Sequence, residues 1–202
     1  MIIGNNKPIR IIGYTESSMT QEFVNEISKT HAVQVIAPAE FIADHDYQYI
    51  VSMTYDLDER LHMIDLVDQQ GLDLVTVVHD TSLIGTDPPA EIGAGTFVFP
   101  FTTVALGSVI GSHSVIGPYN LIGHYSCIGR NCVTRPGVII SDKSRVGNNC
   151  VFNIRSTVTN KVTITNNVEV MALSNIVKDI EHPGRYAGSS ARRITSSTSD
   201  PV

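Results

Sequence analysis

One histidine and one carboxylate in this sequence are spaced for acid–base chemistry. His124 directly follows Gly123, and Asp142 stands 18 further on. Imidazole changes charge between about pH 5 and 8, so a neutral one can accept a proton near neutrality. On these residues alone, a solvated histidine without a role is the better account of His124. A second candidate is Gly13-Tyr14-Thr15-Glu16-Ser17-Ser18, between an apolar run and a helical pattern. Free N–H groups and the Thr15, Ser17 and Ser18 hydroxyls there suit an anion, although Glu16 opposes it. That loop has one glycine, and the second strand is followed by Ala37-Pro38 with no acidic residue, which argues against dinucleotide binding.

What brings residues 18 apart together is a period of six. From Ile92 to Ile176 every sixth residue is apolar, with Thr134 the one exception in fifteen positions. Two residues before these slots come small or β-branched residues such as Thr96, Ser108, Ser114, Asn120, Cys132 and Cys150. Directly after several of them comes glycine, at 93, 111, 117, 123, 129 and 147. Neither a helix (period 3.6) nor a half-buried strand (period 2) repeats in sixes, whereas hexapeptide repeats build a parallel β-helix. Three hexads make one coil, so 15 hexads make five coils and a prism roughly 24 Å tall. The aliphatic slot should point inward, and the glycines should supply the positive φ of the corners. Residues 18 apart should stack: His113, Asn131, Asn149 and Asn167 share one register, Asn148 and Asn166 another. Cys132 and Cys150 should stack as buried thiols, and Asp142 should lie within roughly 5 Å of His124 at the backbone.

The first eighty residues follow another pattern. Strands are expected at Ile9–Ile12, Ala32–Ile36, Tyr49–Met53 and Leu74–Val78, with helices at Thr15–Lys29 and Asp56–Gln70, the latter capped by Gly71. Alternating strands and helices indicate a small parallel α/β unit of Rossmann-like type. The expected division is therefore an α/β domain over 1–80, a left-handed parallel β-helix over 81–180, and an extension over 181–202. An insertion around Pro88 and Pro89 shifts Ile84 out of step with Ile92 by two residues, so the solenoid should become regular after it. Lys178 to Ile194 should pack along the prism, and the tail from Thr195 should be disordered.

Composition narrows the setting. A net charge of −6 argues against nucleic acid or an anionic membrane as the main partner. No apolar run reaches the length of a membrane span, and the start lacks a signal-peptide pattern. Three cysteines without metal spacing fit reduced thiols in the cytosol.

Three stretches carry a resemblance to the hexapeptide-repeat sugar acetyltransferases, the group of sialic-acid O-acetyltransferases and bacillosamine-pathway N-acetyltransferases. They are Val77-Val78-His79-Asp80-Thr81-Ser82, Leu121-Ile122-Gly123-His124-Tyr125-Ser126-Cys127-Ile128-Gly129, and Tyr186-Ala187-Gly188-Ser189-Ser190-Ala191-Arg192-Arg193-Ile194. The chain departs from the family at Asp80 and Ser190, where proline is usual, and at Tyr125, where an acidic residue often orients the histidine. The resemblance implies acetyl-CoA as co-substrate, no metal, and a homotrimer with the donor between prisms. It implies a nucleotide-linked or free sugar acceptor, with His124 as the catalytic base. Asp142 would then supply the carboxylate that Tyr125 cannot, and would also bind the donor, its backbone N–H meeting the acetyl carbonyl where the family often has glycine, with an added charge close by. Gly13, Tyr14, Thr15, Ser17, His79 and Tyr125 become candidates for the acceptor; Lys161, Lys178, Arg192 and Arg193 become candidates for the coenzyme phosphates. Two other readings stay open: a non-catalytic scaffold with a degenerate site, and a metal-dependent hydratase of the γ-carbonic-anhydrase type, which needs three converging histidines.

Overall fold

The computed structural model describes residues 1–53 and 57–194, except the side chains of Ile3 and Met19. The expectation for the tail from Thr195, and the start of the second helix at Asp56, fall outside the described residues.

The hexads wind into a three-faced parallel β-helix. Short strands, one to each hexad, stack on three faces, and successive coils pair in register three hexads apart, as in Leu121↔Ile139 and Cys127↔Arg145. The first face runs from Thr76–Val78 through Phe97–Val98, Val115–Ile116 and Val133–Thr134; the second holds Leu83–Ile84, Thr103–Val104 and Leu121–Ile122; the third holds Glu91–Ile92, Val109–Ile110 and Cys127–Ile128. The aliphatic slots form one continuous core from Val78 to Tyr186. Thr134 belongs inside it because Asn120 does too: Asn120 Nδ2 donates to Thr134 Oγ1 at 2.6 Å, and Asn120 Oδ1 accepts the Val138 N–H at 2.7 Å.

The small slot has its own chemistry. Hydroxyls of Thr96, Thr102, Ser114, Ser126 and Ser144 each donate to the carbonyl 15 residues ahead. Cys132 and Cys150 take the same position, with Sγ 3.1 Å from Gly147 O and 3.3 Å from Thr165 O. Both thiols are buried, and burial pushes that of Cys132 well up.

The glycines correct one expectation. The residues with positive φ do not follow the slot directly; they lie three past it, at Gly95, Phe101, Gly107, His113, Tyr119, Tyr125, Asn131 and onward at the same period to Leu173. The glycines directly after the slots answer a different constraint, the closeness of the next coil. A Cβ at Gly111 would sit 2.5 Å from the Gly129 carbonyl carbon.

The N-terminal unit has a three-stranded parallel sheet in which β2 (Ile9–Ile12) lies between β3 (Val33–Ile36) and β4 (Gln48–Val51); β1 is Ile2–Ile3. Helix α1 spans Ser18–Ile27, starting later than expected because Ser17 is extended (φ −73°, ψ 124°). It buries Thr20, Phe23 and Ile27, spaced along one face. Helix α2 spans Leu57–Gln69 and buries Arg60, Met63, Ile64 and Val67, leaving Leu57 and Leu61 half-buried. Gly71 follows it at φ +60°, as a C-terminal cap requires.

The fourth expected strand serves two masters. Leu74 bridges to Tyr49 of the small sheet, while β5 (Thr76–Val78) pairs with Phe97–Val98 of the solenoid and with β1. The unit packs on the first face: Phe23 meets Phe97 at 4.3 Å between ring centroids, within a cluster that joins Ile9, Ile11 and Ile50 to Val115 and Val133. At the far end, Gly184–Gly188 pairs with Val168–Val170 and folds back as a hairpin with Ala191–Ile194. The C-terminal extension therefore continues the sheet instead of lying along the prism. Tyr186 is the reason, because it occupies the inward position above Val170 and closes the core.

Candidate functional site

The corner between the second and third faces carries His124. Its backbone is fixed by the coils on either side: Tyr125 N–H donates to Leu106 O at 3.0 Å, Lys143 N–H to His124 O at 2.9 Å, and Lys161 N–H to Asp142 O at 2.9 Å. Stacking brings Asp142 to His124 as the period required. Asp142 Oδ1 accepts the His124 backbone N–H at 2.9 Å and stands 3.3 Å from His124 Nδ1. Gly123 makes this approach possible, since a Cβ there would lie 2.5 Å from Asp142 Oδ1 and 2.6 Å from Asp142 N. Both side chains remain about half exposed, at 53% and 47%. An imidazole held through Nδ1 leaves Nε2 to face whatever enters the corner.

Beyond Asp142 the same corner turns basic. Lys143 and Lys161 occupy successive positive-φ positions above Tyr125, and Lys178 follows strand Asn175–Ile176, which pairs with Thr157–Val158. All three are exposed. Lys143 is a candidate that sequence reasoning missed, although it stands three hexads from both Tyr125 and Lys161. On the other side of His124 the corner is Leu106 and Gly107, with the Tyr125 ring folded down against it.

The remaining candidates lie elsewhere. Gly13, Tyr14, Thr15 and Ser17 belong to the unit on the first face. Gly13 donates its N–H to Ile36 O at 3.0 Å, Thr15 O accepts Gln21 Nε2 at 2.7 Å, Ser17 N–H donates to Tyr14 O at 3.0 Å, and the Tyr14 hydroxyl donates to Glu59 at 2.6 Å. His79 contacts Thr81 Oγ1 at 2.9 Å and lines a cleft of about 360 Å³ with Glu22, Glu26, Phe101 and Tyr119. A neighbouring cleft of about 290 Å³ joins Ser18 at the start of α1 to Arg135 and Thr134. Arg193 lies opposite Tyr186 in the final hairpin, with Arg192 beside it opposite Ala187.

Sequence reasoning also missed a polar joint at the corner between the third and first faces. Buried Arg60 donates to Ser52 O at 3.1 Å, to Val51 O at 3.3 Å and to Asn131 Oδ1. Asn131 continues the expected ladder, donating to Asn149 at 3.0 Å, which donates to Asn167 at 3.2 Å. Burial pushes the Arg60 pKa down to about 9. One rung below, His113 Nε2 lies 2.9 Å from Asp68, which also takes Arg130 at 2.6 Å. Burial lowers the His113 pKa despite Asp68. The hydratase reading loses its second histidine here, because His113 is buried against α2 and on a different corner from His124. Among the described residues, no three His, Cys, Asp or Glu side chains are grouped to hold a metal ion.

No protein-family model matches the sequence, and no curated protein does. Solved structures do. A variant of perosamine N-acetyltransferase from Caulobacter crescentus, in complex with CoA and GDP-perosamine, superposes with a TM-score of 0.83 at 16% identity, covering 96% of this chain and 100% of its own. The acetyltransferase domain of PglB from Neisseria gonorrhoeae gives 0.82 at 18% identity, covering 94% and 100%. WeeI from Acinetobacter baumannii gives 0.70 at 16% identity, covering 93% and 100%. Two of these three neighbours are acetyltransferases by name, and the chain shares the fold of all three over more than nine-tenths of its length.

Proposed function

We propose that this chain transfers an acetyl group from acetyl-CoA to an amino or hydroxyl group of a sugar, nucleotide-linked or free. The observation that carries the reading is the His124–Asp142 pair at an open corner with lysines beyond it. His124 Nε2 takes the proton of the acceptor as its nitrogen or oxygen attacks the thioester carbonyl. The C–S bond then breaks, and the coenzyme thiolate leaves with the proton that His124 took from the acceptor, which returns the imidazole to its neutral form. Asp142 holds the imidazole through Nδ1 and offsets the positive charge it gains. Lys143, Lys161 and Lys178 suit the coenzyme phosphates as point charges. The folds of perosamine N-acetyltransferase with CoA and GDP-perosamine and of the PglB domain with acetyl-CoA support this assignment.

In this reading residues 1–80 form a Rossmann-like acceptor-side domain, 81–180 a left-handed β-helix that holds the donor, and 181–202 a C-terminal extension. One chain does not complete the site. Its N-terminal unit covers the first face, whereas His124 stands where the second and third faces meet. The second face exposes Leu83, Leu121 and Ile139. A homotrimer would cover that face and bring a neighbour's acceptor loop, with Gly13, Tyr14, Thr15 and Ser17, to His124. A cytoplasmic role in building surface polysaccharide fits such an activity. The deciding assay is acetyl-CoA-dependent thiol release over a panel of nucleotide-linked amino sugars and free sialic acids, with His124→Ala alongside. Turnover is expected for the wild type and a loss of about 10²–10⁴-fold for the variant. No turnover and no acetyl-CoA binding by calorimetry would favour the non-catalytic scaffold.

A further inference from the structure

The corner below His124 is plugged. From Ile92 to Ile176 successive coils pair three hexads apart, but Val78 pairs with Val98 and Ile84 with Val104, two positions more than three hexads. The extra positions fall in the loop 85–90, which closes on itself through Ala90 N–H to Gly85 O at 2.8 Å. That loop leans on the His124 corner: Gly107 N–H donates to Pro88 O at 2.9 Å. Gly107 occupies a positive-φ position (+65°) where most other coils carry a side chain, so a hollow would open on the corner one coil below His124. The Tyr125 ring and Pro88 fill it. A Cβ at Gly107 would lie 2.6 Å from Tyr125 Cδ1 and 3.3 Å from Pro88 Cγ.

The corner also has a direction. On the side of Asp142 it carries Lys143, Lys161 and Lys178; on the other side it carries Leu106, Gly107 and the Pro88 loop. A polyanionic donor is drawn to the lysine side. An acyl group carried to His124 from that side would point at Gly107 and the Tyr125 ring.

We infer that Tyr125, lying over Gly107 with Pro88 on the same hollow, limits the acyl group this corner accepts to a short one. The inference rests on the acetyltransferase reading and adds a specificity-determining residue to it. Volume is the operative property: the ring, although about half exposed (51%), occupies the space over Gly107 into which a longer chain would extend, and added methylenes there would meet it.

Calorimetric titration with CoA, acetyl-CoA, butyryl-CoA and hexanoyl-CoA tests this without knowledge of the acceptor. In the wild type, hexanoyl-CoA should bind at least about tenfold more weakly than acetyl-CoA, which corresponds to the clash of a few methylenes. Tyr125→Ala should bring the two within about threefold, while Tyr125→Phe, which keeps the ring, should behave as the wild type. Tyr125→Leu serves as an intermediate if the alanine variant folds poorly, and should relax the ratio partway. A hexanoyl-to-acetyl ratio unchanged in Tyr125→Ala, or lost equally in Tyr125→Phe, would overturn the inference while leaving the acetyltransferase reading intact. Wild-type protein that binds no CoA at all would sink that reading first, and the inference with it.

Discussion

Asp142 Oδ1 serves two groups of His124 at once, accepting its backbone N–H at 2.9 Å and lying 3.3 Å from Nδ1. The first contact fixes where the carboxylate sits, and the second fixes the ring. Asp142→Asn keeps an acceptor for the N–H but removes the charge that offsets an imidazolium. Turnover is expected to fall by about ten- to a hundredfold, with a changed pH–rate profile and little change in the KM for acetyl-CoA. Steady-state kinetics across pH check this, and an unchanged rate and profile would remove Asp142 from the site.

Thr134 is the single polar residue in the aliphatic series, and replacing it should not help. Its hydroxyl oxygen accepts from Asn120 Nδ2 at 2.6 Å and from Gly117 N–H at 3.1 Å. Thr134→Val completes the pattern yet strands a buried amide donor. We expect a loss of about 1–3 kcal/mol by denaturant titration. A stabilised variant would mean that Asn120 has another partner.

Arg60 joins α2 and strand β4 to the Asn ladder of the solenoid. Arg60→Met keeps much of the volume but leaves Asn131 Oδ1 and two carbonyls without their donor. The expected cost is about 2–4 kcal/mol, given about 1–3 kcal/mol for each buried group left unsatisfied and partial relaxation. A midpoint within error of the wild type would show that the joint contributes little.

His113 should make stability depend on pH. Burial holds its folded pKa below the ordinary value of about 6.5, against the pull of Asp68 and with Arg60 and Arg130 opposing protonation further. As pH falls through about 6.5, the unfolded chain binds a proton that the native imidazole resists, so stability drops. Above that pH the group contributes no such dependence. His113→Asn, the residue found on the next rungs of the ladder, should flatten the change in denaturation midpoint between about pH 7 and 5.5. Parallel curves for the two proteins would refute the assignment.

The chain's periodicity alone determined the solenoid, its core series from Ile92 to Ile176, the Asn ladder, and the meeting of His124 with Asp142. A β-helix makes these legible because its long-range contacts occur at a fixed sequence separation, so a residue's partner is read by counting three hexads on. The N-terminal strands and helices were legible for a similar reason, through local apolar spacing. Where no fixed separation applies, only the tertiary structure decided. Arg60 is 71 residues from Asn131, and Asp68 is 45 from His113. Arg60 stands in a helical pattern like any solvated arginine until α2 docks on the corner and buries it. The closing of the core by Tyr186, the sharing of β5 between two sheets, and the packing of Tyr125 over Gly107 have the same origin. Each depends on how one element sits against another, a matter of packing that no local period encodes.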